Sequence, residues 1–130
     1  MNTGHSGSLT TMHANSPVDA LNRLETMILM AGMEIPIKAL REYIENAIDI
    51  VVHIERLNDG RRKITSICEI VGFDDDTIKL KEIFEFKKTG ILNNQNVDGE
   101  FIRHNYVPKV YKEIKAKGID TLKDIFEGND

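Results

Sequence analysis

Tryptophan is absent from this 130-residue chain, and Phe and Tyr together make up only 6% of it. A core of this composition must be built mainly from Ile, Leu, Val and Met. A single cysteine, Cys68, excludes an internal disulfide framework and fits a reducing compartment. No run approaches the roughly 20 apolar residues that a helix needs to cross a bilayer. Positive charge is not in excess either. Seventeen Lys and Arg against 21 Asp and Glu leave a net charge of −4, whereas a duplex-binding domain is usually basic. Direct nucleic-acid binding is therefore not expected. The segment Met1 to Gly7 holds no Lys or Arg, so it reads as neither a secretory signal nor a transit peptide. The expected location is cytoplasmic, with any work at a membrane done through partners.

What is present fits a globular chain: 41% hydrophobic and 29% charged residues, over the length of one domain. The first segment is rich in small and hydroxylated residues and leads into Leu9 to Ala14, which reads as a short buried strand. Ser16 is placed to cap a helix, Pro17 suits its first position, and Asp19 stands three residues after the cap. Val18, Leu21, Leu24 and Ile28 recur at helical spacing, and Gly32 can end that helix. A second helix is expected from Pro36, with Ile37, Leu40, Ile44 and Ile48 on one face.

The period then changes from helical to alternating. Ile48, Ile50, Val52 and Ile54 alternate with Asp49, Val51, His53 and Glu55, and Asn58-Asp59-Gly60 is a turn signal. Ile64 to Phe73 reads as a returning strand, Asp74-Asp75-Asp76 as a second turn, and Ile78 to Phe86 as a third strand. An antiparallel meander results. Residues 87–100, with Gly90, Asn93, Asn94, Asn96 and Gly99, read as a loop. A helix at about Pro108 to Ala116 and a short one ending near Phe126 complete a mixed α/β chain.

The most unusual stretch is Gly4-His5-Ser6-Gly7-Ser8 followed by Thr10-Thr11-Met12-His13-Ala14-Asn15-Ser16. Two histidines flank a hydroxyl-rich segment ahead of a capped helix. Imidazoles at a strand end donate to phosphate oxygens or carry protons near neutral pH. The plainer alternative makes His5 a loop residue and His13 a hydrogen-bonded structural one.

The string Thr3 to Pro17 resembles the His box of the type II/IV secretion ATPase superfamily. Asp19 to Met27, Met30-Ala31-Gly32, Ile35-Pro36, the Asp59-Gly60-Arg61-Arg62 turn and Glu69-Ile70-Val71-Gly72 resemble its Flp-pilus and tight-adherence branch, the CpaF/TadA type. The tail, with Thr89-Gly90-Ile91, Pro108, Gly118-Ile119 and Phe126, is similar to that branch more loosely. The resemblance implies the C-terminal part of a RecA-like P-loop NTPase motor domain. Residues 1–130 would form one unit: the His box, helices and first strand over 1–57, the meander over 58–90, and a C-terminal loop and helices over 91–130.

It further implies a hexameric ATPase that powers protein secretion, pilus assembly or conjugal transfer, with inner-membrane platform proteins as partners and ATP with Mg²⁺ as cofactors. By family match, His5 and His13 lie on the γ-phosphate side of the nucleotide, with Thr10, Thr11 and Asn15 as polar support; Arg23 matches a family position without an assigned role. One departure is large. The chain has no Gly-x-x-x-x-Gly-Lys-Ser/Thr pattern, so it encodes neither the amide cradle nor the lysine that hold a triphosphate. Alone it is expected to be inactive and to bind no nucleotide tightly, as a fragment starting at the His box. The alternative is a non-enzymatic accessory module that binds the full-length ATPase or its platform.

Other features read as structural. Lys109, Lys112, Lys115 and Lys117 form a solvated helix face. His5, His13, His53, His104 and Cys68 lack the spacing of a zinc finger, and no metal site is expected from them. His53 is expected to be exposed, and Cys68 to be a core thiol.

Overall fold

The computed structural model describes residues 7–91 and 97–128. Helix α1, Pro17–Met30, starts as its sequence dictates: the Ser16 hydroxyl accepts from the Asp19 N–H at 3.0 Å, and Pro17 occupies the first turn. Gly32 follows with a φ of +79°, a conformation open to glycine. Helix α2, Ile37–Ala47, buries Leu40, Arg41 and Ile44. Four strands come next: β1 Ile50–Arg56, β2 Arg62–Phe73, β3 Ile78–Ile91 and β4 Val97–Arg103. Each pairs antiparallel with the next in the order β1-β2-β3-β4. Helix α3, Lys109–Ala116, and the single turn α4, Lys123–Phe126, end the described chain.

The two helical pairs attach to opposite faces of β2 through alternate residues, as the period of a strand requires. Ile70 joins Ile78, Leu21, Leu40 and Ile44 in the main core, with Leu24, Ile28, Val51 and Leu80 packed around it. Its neighbour Glu69 points to the start of α3. On that side the buried ring of Tyr111 meets Phe126 at 4.8 Å, and Phe126 meets Phe84 of β3 at 6.2 Å. Leu57, Phe86 and Val97 form a smaller cluster at the far end of the sheet.

Arg41 locks α1, α2 and the β2–β3 turn together. Its Nε donates to Glu25 Oε1 at 2.9 Å, and its Nη1 reaches the carbonyls of Asp74 and Asp75. That hydrogen bond to Glu25 is the main cause that raises the already high guanidinium pKa. The acidic run is thus a turn: Asp74 Oδ1 accepts from the N–H groups of Asp76 and Thr77 at 3.0 and 2.9 Å.

Two expectations are corrected. The segment 9–14 is neither strand nor helix, and Leu9 is 95% exposed. A strand needs a ladder for its amides, and all four described strands pair among themselves. Residues 87–100 are not a loop where they are described: β3 runs on to Ile91 and β4 begins at Val97. A Cβ at Gly99 would stand 2.6 Å from both the Lys87 carbonyl oxygen and Phe86 Cζ, so this glycine serves close strand approach rather than a turn.

Candidate functional site

His13, Thr10, Thr11 and Asn15 all lie on the exposed segment that leads into α1. His5 lies outside the described residues. The segment is held at its junction with α1. Asp19, held by the Ser16 cap, accepts from the Asn15 N–H at 2.9 Å and from Arg23 Nε at 3.2 Å. Arg23 thus has a local role: it neutralises the carboxylate that fixes the exit of the segment from α1. His13 is exposed to solvent, and Ser16 to Val18, which follow the segment, line a groove.

The groove, of about 380 Å³, runs from Ser16, Pro17 and Val18 along the α1 side of the sheet, past His53, Thr65, Ser66, Cys68, Glu82 and Glu85. His53 overturns its expectation. Its side chain is only 11% exposed, and its Nε2 has no hydrogen-bond partner, with Glu55 Oε1 3.6 Å away. The alternation of β1 is real but its sides are reversed: Val52 and Ile54 face water while His53 and Glu55 face the groove. Cys68 is buried, as expected, and burial pushes its thiol pKa up, so it is a poor thiolate. Ser66 Oγ lies 3.2 Å from its sulfur.

Three side chains that the sequence did not bring together meet at the groove. His104 Nε2 lies 3.1 Å from Glu85 Oε2 and 3.5 Å from Glu82 Oε2. Glu82 and Glu85 are three apart, a spacing that normally puts strand residues on opposite faces. An extra residue at Ile83 shifts the pairing, so that Glu82 opposes Cys68 and Glu85 opposes Ser66. No spacing signal foretells that bulge.

Two further carboxylates fasten the sheet to its surroundings. Glu69, buried in mid-sheet, accepts from the N–H groups of Lys109 and Val110 at 2.9 and 2.8 Å and from the Tyr106 hydroxyl. It satisfies the first amides of α3, whose cap position holds Pro108 with no side-chain acceptor. Burial, then the bond to Glu69, pushes the Tyr106 phenol up to about 12. Asp59 accepts from Arg61 N and Nε, each at 2.9 Å, and from Val97 N at 2.7 Å. Those bonds, the Arg61 guanidinium first, hold its carboxyl well below the usual carboxylate range. The turn Asp59-Gly60-Arg61 is thereby tied to the start of β4.

A mixed α/β chain with a polar, histidine-bearing segment at a helix entrance is the class that this geometry defines. A sequence model of the type II/IV secretion system proteins matches residues 1–114, and the chain belongs to that family. It is 39% identical over 72 residues to the conjugal transfer protein TrbB of Rhizobium radiobacter, covering 55% of this chain and 21% of that protein. To the type IV secretion system protein PtlH of Bordetella pertussis it is 39% identical over 69 residues, 50% of this chain and 20% of that one. To the type IV secretion system protein VirB11 of Brucella suis it is 31% identical over 90 residues, 67% of this chain and 24% of that one. The matched stretch is thus about a fifth to a quarter of these curated relatives. No helix of the described residues is long and apolar enough to cross a membrane.

Proposed function

We propose that these residues furnish the His-box part of the RecA-like motor of an ATPase that drives conjugal transfer, protein secretion or pilus assembly. The family match over residues 1–114 carries the reading. In it, His13 and His5 stand on the γ-phosphate side of a nucleotide held by another stretch of the polypeptide, with Thr10, Thr11 and Asn15 as polar support. The exposure of His13 at the entrance to α1 supports this role, because a donor to an incoming phosphate must not be spent on a bond within its own fold. The active species is a hexamer, peripheral to the inner membrane through platform proteins, and of the tight-adherence branch. Exposed Val52 and Ile54 on the edge strand β1, with Ile64 beside them on β2, support burial against further protein.

ATP and Mg²⁺ are the cofactors of that machine. Among the present residues none supplies the lysine-and-amide phosphate cradle. The 130-residue chain by itself should therefore release no phosphate from ATP above buffer background; Mg²⁺-dependent release would overturn this part of the reading. In the complete ATPase, His13→Ala should lower turnover about 10²-fold, the usual loss for one donor to a developing oxyanion, with nucleotide affinity nearly unchanged. His5→Ala should act in the same direction and more weakly. Wild-type turnover per folded molecule in His13→Ala would end the catalytic assignment and leave the accessory-module reading.

A further inference from the structure

Glu82 and Glu85 reach the same side of β3 because of the bulge at Ile83, and His104 follows directly on β4. The His104 N–H donates to the Ile83 carbonyl at 2.9 Å, which fixes its backbone beside the two glutamates. One ligand atom from each of the three lies within 4.8 Å of the others, and all three side chains are half-buried. Ser66 Oγ donates to Glu82 Oε1 at 2.6 Å. That bond orients the carboxylate and leaves Oε2 turned to His104, as outer-shell partners do for metal-binding carboxylates.

A second observation points to an occupant. Thr65, only 8% exposed, lines the same groove with its Oγ1 lacking any hydrogen-bond partner, and His53 Nε2 is in the same condition. Buried polar atoms are costly to leave unmet, and a bound ion with its waters supplies what such atoms need.

We propose that Glu82, Glu85 and His104 bind a divalent transition-metal ion of the zinc or manganese kind. Metal–ligand bonds of about 2.0–2.2 Å place neighbouring ligand atoms roughly 3–3.5 Å apart. The separations of 3.1 and 3.5 Å around His104 Nε2 already fall in that range. An imidazole nitrogen among the ligands selects against Mg²⁺ and Ca²⁺, which prefer all-oxygen sites. Three protein ligands leave further coordination positions for water, and Glu82 and Glu85 line the same groove as Thr65 and His53. Its ligands are not the histidines of the His box.

Calorimetric titration of Zn²⁺, Mn²⁺ and Mg²⁺ into the chelator-treated 130-residue chain tests this, alongside thermal unfolding with and without metal. The expected result is one bound Zn²⁺ or Mn²⁺ per chain, with a Tm that rises on metal addition, and no response to Mg²⁺. His104→Ala and Glu85→Gln should each weaken binding at least about 100-fold, and Ser66→Ala about 10-fold. Glu82→Gln keeps the side-chain shape, and its far-UV circular dichroism separates loss of metal from loss of fold. No saturable binding of either ion to the folded chain would overturn the proposal. So would binding that survives in both His104→Ala and Glu85→Gln, or binding that Cys68→Ser abolishes.

Discussion

The segment before α1 and the junction of β2 with α3 are opposites. At the first, the family resemblance is most specific, yet Thr10, Thr11, His13 and Asn15 are exposed, and Asp19 accepts from the Asn15 N–H where the segment meets α1. At the second, the residues carry a looser signature, yet one buried carboxylate gathers three donors from the chain 37 to 41 positions away. A histidine that is to donate to a ligand, as proposed for His13, is not spent on a bond within its own fold, whereas a residue that joins elements, such as Glu69, is saturated by such bonds. Stability and chemistry are therefore expected to separate along this line.

The largest effect should come from the packed side. Leu40 is 1% exposed in the main core, and Leu40→Ala should cost about 2–5 kcal/mol in denaturant unfolding. A loss under about 1 kcal/mol would mean that the α2 face is not the core of the fold. Next comes Glu69→Gln, which keeps the shape but turns an amide toward the first N–H groups of α3. It should cost about 1–3 kcal/mol and lower helical signal from the C-terminal region. The third is a pH effect. The folded pKa of Tyr106 lies near 12 against 10.0 for the free side chain, so the unfolded chain loses this proton first. Stability should therefore fall as pH rises from 10 toward 12, and Tyr106→Phe should flatten that limb. An unchanged alkaline limb in Tyr106→Phe would detach the phenol from the Glu69 junction. The smallest effect belongs to the exposed side: His13→Ala should move the isolated chain's stability by no more than about 0.5 kcal/mol. A clear loss would make His13 a structural residue and blur the contrast.

Much of this was legible in the sequence. Ser16-Pro17 and Asp19 announce α1 because capping is local chemistry, and Asn58-Asp59-Gly60 announces the first hairpin for the same reason. Which face of β1 turns inward was not legible. Alternation tells that two faces differ, and only the placement of α1 decides that His53 rather than Ile54 is covered. Gly99 reads as a loop residue until Phe86 is seen against it. The Glu82, Glu85 and His104 cluster depends on a one-residue bulge and a partner 19 positions further on, and neither leaves a periodic trace. The site residues of the His box are legible only through the family resemblance, because no period or ligand spacing marks them.

Glu69 also bears on time. The amides it satisfies lie 40 and 41 residues further along the chain, so closing that contact carries the entropy cost of a long loop and is expected late in folding. A bond formed that late contributes little to the folding barrier and much to the barrier against opening. Its loss in Glu69→Gln should then be felt chiefly as a faster unfolding rate, with refolding nearly unaltered. The carboxylate would then set how long α3 stays docked on the sheet, and not only how firmly it docks.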